Sequence, residues 1–225
     1  KNLWLKKHKP ELFDGVELTD FELKIIEDGN LAESACRKLY PDGYLVESSG
    51  QSAVLETQSA IKRGETTLFQ ATFQHDVFYL RADILRYNED LNGWELYEIK
   101  ATNEVKRKVP HHHVNDLAFQ KIVIESCGVK VVQASVIHLN REFRKHGKIN
   151  FHQLFITEDV TTEVAEAEEG VQLEMQTAKI YLSLPEEPGC LCVYEGKSNH
   201  CATFAYSNPQ VPEYSVHHLN RIGMS

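Results

Sequence analysis

Asp83, Glu98 and Lys100 are the residues of this sequence whose types and spacing could do chemistry. Asp83 lies in the segment VFYLRADIL, and Glu98 and Lys100 lie close together in WELYEIKA. Carboxylates are hard oxygen ligands that bind Mg²⁺ or Mn²⁺, and such an ion polarises a phosphoryl oxygen and lowers the pKa of bound water. An ammonium group beside the ion can orient that water and stabilise charge that develops on a phosphate. The three side chains therefore match metal-assisted hydrolysis of a phosphate ester, provided that the fold brings them together.

The two segments predict a hairpin that brings these side chains together. With NEDLNG as the loop, Tyr87 pairs with Trp94, and counting back along the strands places Asp83 opposite Glu98. A tighter Asn-Gly turn would slide this register by about two residues on each strand and keep Asp83, Glu98 and Lys100 on one face. Opposed carboxylates destabilise a sheet unless a cation offsets their repulsion. A solvated sheet face is the alternative, but the apolar surroundings in LYEIKAT favour a half-buried strand, where charges are rare unless paired or bound to metal.

The elements that must position this hairpin follow from hydrophobic periodicity. Helices are predicted in TDFELKIIEDGNLAESACRKLYPDG, GQSAVLETQSAIKRG and VNDLAFQKIVIESCG, and strands in YLVES, TLFQATFQH, VFYLRADILRY, WELYEIKAT, VKVVQASVIHLN and FHQLFITED. This order predicts an α/β fold with a mixed central sheet flanked by helices. A long helix, VTTEVAEAEEGVQLEMQTAKIYLSL, and a cysteine-containing tail follow. We expect a core over residues 1–157, with the helix and tail of residues 158–225 packed on it, as a fragment of a longer protein.

Composition limits the class of partner. The net charge of −9 argues against a broad nucleic-acid surface without excluding one, because the basic residues cluster locally in LKKHK, VKRK and NREFRKHGK. The three histidines at 111–113 are expected in a loop that leads into a helix, either near DNA phosphates or as plain surface residues. No run of about 18 apolar residues predicts a membrane span. Five cysteines, an odd number, favour a reducing cytoplasm over a secreted disulfide framework.

The pattern of an Asp in one strand, Glu-x-Lys in the next and a helix carrying a Gln resembles the PD-(D/E)xK nuclease superfamily. The likeness is to its RecB-type branch, which includes the CRISPR-associated adaptation exonucleases, and it covers about residues 17–140. NLWLKKHKPELF and LYPDGYLVE also resemble a bacterial domain of unknown function in this superfamily. The resemblance implies a restriction-endonuclease-like core and a metal-dependent, exonuclease-like enzyme that hydrolyses DNA phosphodiester bonds in repair or defence.

The resemblance also implies a role for each residue of the hairpin. Asp83 and Glu98 would ligate Mg²⁺ or Mn²⁺, joined by the backbone carbonyl of Ile99. Lys100 would be the catalytic lysine. The alternative is a non-catalytic nucleic-acid-binding or scaffolding module that keeps the same fold.

Two helical residues complete the set that the resemblance implies. Glu33 would be a further metal ligand, with a solvent-facing helix residue as the alternative, and Gln120 would orient the active site or the DNA. The chain departs from the superfamily pattern at Ile124, where a Tyr is usual, and at Ala82, where a Pro is usual. Asp116 and Gln120 share a helix face at i and i+4, which is typical either of a functional stripe or of plain surface polarity.

The cysteine-containing tail carries a second, separate likeness. Cys190, Cys192 and Cys201 resemble three ligands of the [4Fe–4S] cluster that pins the C-terminal tail to the N-terminal helix in some RecB-type nucleases. The resemblance implies a fourth ligand just ahead of the segment NLWLKKHKP, upstream of this sequence. Cys36 fits better as a core residue on a helix. Zinc held by cysteines together with His200, or idle thiols, are the alternatives.

Overall fold

The computed structural model of the chain describes residues 1–14, 18–108, 111–196, 200–212 and 214–216. The chain forms two compact units: Asp20–Met175 is the larger, and Lys1–Thr19 together with Gln176–Ser225 is the smaller. Compactness in space does not show which part folds alone, so the predicted division at residues 157 and 158 stays a prediction.

A six-stranded sheet forms the centre of the larger unit. Its strands are β1 (Tyr44–Leu45), β2 (Thr67–His75), β3 (Phe78–Asn88), β4 (Gly93–Lys100), β7 (Val131–Leu139) and β8 (Phe155–Asp159), and they lie side by side in that order. β1 runs parallel to β2, and β4 runs parallel to β7, whereas the other neighbouring pairs are antiparallel. A separate two-stranded ribbon consists of β5 (Arg107–Lys108) and β6 (His111–His112). The predicted α/β fold with a mixed central sheet is thus confirmed.

Helices pack on both faces of the sheet. The helices of the chain are α1 (Asn2–His8), α2 (Asp20–Cys36), α3 (Gly50–Arg63), α4 (His113–Ser126), α5 (Phe151–Leu154), α6 (Thr161–Leu182) and α7 (Phe204–Ser207). Glycines end two of them, as predicted: Gly64 after α3 and Gly128 beyond the end of α4 have φ angles of 85° and 81°. Only glycine adopts this left-handed backbone without steric cost, so both helices stop there.

Alternate residues of β4 reach two separate hydrophobic clusters. Leu96 packs in a cluster with Leu117 and Val123 of α4. Tyr97, the next residue, packs in the other cluster with Cys36 of α2. Each fully buried large apolar side chain contributes roughly 1.5–3 kcal/mol to stability, so the central strand is held from both sides.

Two expectations about local structure differ from what the chain adopts. The helix predicted around TDFELKII forms as α2, but its apolar residues Phe21, Ile25 and Leu31 are exposed in the structure. FHQLFITED forms not one strand but the single helical turn α5 followed by β8, because the Asn150 side chain accepts from the backbone N–H of His152 and caps that turn. Within the described part of the chain, no helix combines the length and apolar character needed to cross a membrane.

The smaller unit joins the two ends of the chain. Trp4 of α1 is buried, and its indole N–H donates to the Leu184 carbonyl at 3.0 Å. Glu187 accepts from Lys1 and from Lys9, each at 2.6 Å. These hydrogen bonds hold the pKa of Glu187 down to about 2. The helix α1 and the C-terminal tail are therefore linked by ordinary side-chain contacts.

Candidate active site

Asp83 lies at the point where β3 and β4 diverge. The antiparallel ladder pairs Tyr87 with Trp94, as predicted, and its last pair is Ile84 with Tyr97. Beyond that pair the Asp83 carboxylate accepts from the backbone N–H of Ile99 at 2.8 Å. A side chain thus continues the connection between the strands beyond the last backbone pair.

Glu98 and Lys100 project from β4 to the helix α4. Glu98 Oε2 accepts from Gln120 Nε2 at 2.6 Å, and Glu98 Oε1 accepts from Lys100 Nζ at 2.9 Å. Lys100 Nζ also donates to Asp116 Oδ2 at 3.1 Å. The Glu98 and Lys100 side chains are 13% and 25% exposed, so this strand is half-buried as expected. The predicted face of α4 with Asp116 and Gln120 therefore meets the two charged residues of the hairpin.

Glu33 reaches the same region from α2 through a residue that sequence analysis missed. Gln70 of β2 donates from Nε2 to Glu33 Oε1 at 2.6 Å and to Asp83 Oδ1 at 3.3 Å. Arg37, the residue after the end of α2, donates to the same Glu33 oxygen. Gln70 has a φ of 56°, an uncommon value for a residue other than glycine, and the β2–β3 register skips its pairing with Asp83.

The crowding of acidic groups changes the pKa of Asp83. Burial raises this pKa well above its ordinary value, and the charges of Glu98 and Glu33 raise it further, while the hydrogen bond from Ile99 opposes them. For Lys100, burial lowers the pKa, but the charge and hydrogen bond of Glu98, with Asp116, more than offset this and leave it raised. The site therefore holds one carboxyl group that resists ionisation beside an ammonium group that resists deprotonation.

The donor atoms at this site fit a hard divalent cation in chemistry but are not gathered around one point. Among the described residues, no three His, Cys, Asp or Glu side chains are arranged to hold a metal ion. Gln70 and Lys100 instead occupy the carboxylate oxygens of Glu33, Asp83 and Glu98. Carboxylates with a backbone carbonyl are ligands that Mg²⁺ and Mn²⁺ prefer. Binding such an ion would require these donors to give way.

Gln120, at the same place, has a buried side-chain oxygen without a hydrogen-bond partner among the described residues. It is 8% exposed, and its Oε1 atom has no partner within the part of the chain that the structure describes. A buried polar atom without a partner is unusual and costs free energy. This atom lies on the amide group that holds Glu98, which places the unmet acceptor within the site.

The basic segments expected to guide DNA are partly committed to other contacts. Arg107 of the segment 105–108 donates to Glu158 at 2.5 Å and to Glu163 at 3.1 Å. Arg144 donates to the backbone carbonyls of Arg141 and Phe143, each at 3.0 Å. Their role in guiding DNA stays a prediction.

The cysteines of the tail do not form a cluster site among the described residues. Cys190 and Cys192 are joined as a disulfide, and Cys201 is free, with its sulfur 3.3 Å from Thr203 Oγ1. Cys36 lies in the core, as expected, and burial raises its pKa to about 12, with Asp83 and Glu33 adding to the shift. The iron–sulfur interpretation of Cys190, Cys192 and Cys201 stays a prediction.

Comparisons with known proteins leave the family open. No protein-family model matches the chain, and no curated protein matches it. One solved structure, an alkaline exonuclease (LHK-Exo) from Laribacter hongkongensis, aligns with 81% of this chain and 96% of its own chain, at 11% identity and a TM-score of 0.27. A likeness this weak carries no argument, so the case for a function rests on side-chain geometry.

Proposed function

We propose that this chain is a metal-dependent nuclease that hydrolyses DNA phosphodiester bonds in an exonuclease-like manner, in DNA repair or defence. The observation that carries the proposal is that Asp83, where β3 and β4 diverge, lies close enough to the Glu98–Lys100 pair for both of their charges to act on it. Without a cation beside it, a carboxyl group whose pKa is raised by burial and by neighbouring acids is costly to ionise. A divalent cation removes that cost, because it turns mutual repulsion of the carboxylates into shared attraction.

In this proposal the residues of the hairpin hold the ion. Asp83 and Glu98 would bind Mg²⁺ or Mn²⁺ together with the Ile99 backbone carbonyl, and Glu33 would join them from α2. When bound, the ion supplies a Lewis acid and a water of lowered pKa. Gln70, which now bridges Glu33 and Asp83, would release its hydrogen bonds as the carboxylates turn to the ion.

Lys100 and Gln120 act on charge and on position. Because the neighbouring carboxylates raise the pKa of Lys100, this side chain stays protonated at neutral pH. It therefore serves to stabilise negative charge developing on the phosphate rather than to accept a proton. Gln120 of α4 is a positioning residue, since its Nε2 donates to Glu98 Oε2 at 2.6 Å.

A non-catalytic nucleic-acid-binding or scaffolding module on the same fold is the second candidate. The net charge of −9 and the engagement of Arg107 by two glutamates favour its scaffolding form, since both weaken the attraction of a phosphate backbone. The acidic group around Asp83 speaks for catalysis, because a module that only binds DNA gains nothing from carboxylates that repel it.

Digestion of labelled DNA with Mn²⁺ or Mg²⁺ tests the proposal. We expect metal-dependent cleavage by the unmutated chain and its loss in Lys100→Ala and Asp83→Ala. Lys121→Ala is the matched control, because Lys121 is also a partly buried lysine that pairs with two acids, Glu125 and Glu168. Failure to cut single-stranded DNA, duplex DNA or RNA with either ion would remove the enzymatic interpretation of this chain.

The metal content of the cysteine-containing tail and the cellular location of the protein are separate questions. A [4Fe–4S] cluster would require a further cysteine from a longer protein, since the described residues supply no complete set of ligands. Iron, sulfide and zinc analysis of the longer protein separates this cluster from zinc bound with His200. Action in the cytoplasm and a further domain of the same polypeptide stay predictions.

A further inference from the structure

An open cleft of about 470 Å³ lies in the larger unit beside Lys100. Ile25 and Gly29 of α2 line one side, and the residues that follow β4 line another. Its volume falls within the range of roughly 300–1,000 Å³ that small-ligand sites occupy, on the order of one nucleotide. The cleft is therefore open to the surface, and the Lys100 side chain of the proposed reactive site lines it.

Gly29 lines this cleft without a side chain. The residue lies inside the helix α2, where glycine is an unfavourable choice. A Cβ atom built on Gly29 meets no atom within 4 Å, so the packing of the protein itself does not require a glycine there. Because glycine has no side chain, this position leaves free space at the wall of the cleft.

Lys106 and His112 supply donors at the cleft. His113 accepts from the backbone N–H of Lys106 at 3.1 Å, and its own N–H donates to the Lys106 carbonyl at 2.9 Å, which fixes Lys106 against the start of α4. The Lys106 ammonium group has no ion-pair partner within the described ranges. His112 accepts from the backbone N–H of Asn115 through Nδ1, so its ring proton resides on Nε2 and is available to donate.

The balance of charge in the cleft favours an anion. The Asp116 carboxylate that also lines the cleft is already engaged by Lys100 at 3.1 Å. Lys106 and the Nε2–H of His112 are left to meet negative charge, while Ile25, whose side chain is exposed, offers an apolar wall. A charged donor beside an apolar surface is the arrangement that single-stranded nucleic acids bind, through backbone phosphates and base faces.

We propose that this cleft holds one strand of the nucleic acid, with a phosphate at Lys106 and His112 and the adjoining sugar and base against Gly29 and Ile25. The inference rests on the proposed nuclease function, since it places the strand next to Lys100.

Binding of a fluorescein-labelled oligothymidylate, followed by fluorescence anisotropy in EDTA, tests the cleft without any cleavage. Gly29→Leu fills the free space and is expected to weaken binding by about tenfold or more. Gly170→Leu is the matched control, because Gly170 lies inside α6 with equally open space around it and away from the cleft. Both variants are expected to fold, since leucine is a better helix former than glycine.

A charge variant gives a second measurement. Lys106→Ala should reduce the dependence of log Kd on log salt by about one, the contribution of one phosphate contact. Lys62→Ala, which removes an exposed lysine of α3 outside the cleft, should leave that slope unchanged.

These outcomes separate the cleft from the nuclease proposal. If Gly29→Leu binds the oligothymidylate as tightly as Gly170→Leu, the cleft proposal fails, even for a chain that cuts DNA. If the unmutated chain binds and Gly29→Leu does not, the cleft proposal stands, even for a chain that cuts nothing. Absence of binding by the unmutated chain overturns the cleft proposal.

Discussion

Two glutamates of the same strand, Glu95 and Glu98, are both held by hydrogen bonds in the interior, but their surroundings differ. Glu95 accepts from Asn88 Nδ2 and from the Tyr97 hydroxyl, each at 2.7 Å, and pairs with Arg86 at 3.4 Å. All three of these side chains donate to it. Glu98 also accepts from two donors, Gln120 and Lys100, but it lies near a second acid, Asp83. The charge of Glu98 helps to raise the pKa of Asp83.

This difference is our reason for treating Glu95 as a structural carboxylate and Glu98 as part of the proposed reactive site. Donors around Glu95 satisfy its negative charge, so nothing more is needed to keep it in the interior. Beside Glu98, the Asp83 carboxyl group meets repulsion from Glu98 and Glu33 that the hydrogen bonds from Ile99 and Gln70 relieve only in part. Strongly shifted pKa values of buried acids are common at functional sites, and here the repulsion supports the proposal that a cation binds.

The largest expected effect is on catalysis. Glu98→Gln should lower the rate of Mn²⁺-dependent DNA cleavage by on the order of 10²–10³-fold or more, because it removes a proposed metal ligand and the partner of Lys100. Glu95→Gln makes the same chemical change on the same strand and should keep most of the activity below its unfolding temperature. Equal losses in the two variants would mean that the comparison between the glutamates has no functional content.

Stability should respond in the opposite order. Glu95→Ala leaves the Tyr97 hydroxyl and the Asn88 amide without their acceptor and should cost roughly 1.5–3 kcal/mol. Asp83→Asn removes a crowded carboxylate, keeps an acceptor for Ile99 and should stabilise the metal-free chain at a pH above the raised Asp83 pKa of about 8. Urea or thermal unfolding measures both, with about 2–4 °C in Tm for each kcal/mol in a chain of this size. A metal-free Asp83→Asn chain less stable than the unmutated one would contradict the idea of unrelieved repulsion.

The stability of the metal-free chain should depend on pH through Asp83. Because burial and the charge of Glu98 raise the pKa of Asp83, the folded chain holds this proton more tightly than the unfolded chain. The resulting stabilisation is complete below the ordinary Asp pKa of about 3.9 and is lost as pH rises through the raised pKa. Relative to Asp83→Asn, the free energy of unfolding should therefore fall as pH rises over this window. Mn²⁺ should restore it, since the ion binds only the folded state.

Glu95→Gln is the control for this pH series. It should keep the falling trend, because Asp83 still titrates in that variant. If Asp83→Asn shows the same trend as the unmutated chain, another group is responsible.

The smallest expected effect concerns Gln70. Gln70→Gly loses the bridge between Glu33 and Asp83 but accepts the φ of 56° without strain, whereas Gln70→Ala loses the bridge and keeps the strain. The alanine variant should therefore unfold about 1–2 kcal/mol more easily than the glycine variant. Urea unfolding of the pair measures this difference, and equal stabilities would show that the positive φ carries no cost.

Patterns that are local in sequence predicted much of this architecture. The turn residues between Tyr87 and Trp94 set the register of the hairpin, and Gly64 and Gly128 marked the ends of two helices, because each signal acts over a few residues. The shared face of Asp116 and Gln120 likewise follows from helical spacing. Whether Asp83, Glu98 and Lys100 bind metal and act in catalysis stays a prediction.

Other features depend on contacts that no short pattern contains. Gln70 is an ordinary residue in a β-strand sequence, and its two acidic partners lie on α2 and β3, away from it in sequence. The exposure of Phe21 and Ile25 could not be predicted from their helical spacing, since periodicity identifies an apolar face without showing what covers it. The contact of Lys100 with Asp116 depends on how α4 packs on the sheet.

The hydrogen bond from the Ile99 backbone to the Asp83 carboxylate determines where the hairpin can change length. Both residues lie on the strand side of the tip, so extra residues between Glu89 and Asn92 would leave their separation as it is. One extra residue between Asp83 and Tyr87 would turn Asp83 to the opposite side of the sheet and away from Ile99. Insertions are therefore tolerable at the tip of this hairpin and disruptive along its strands.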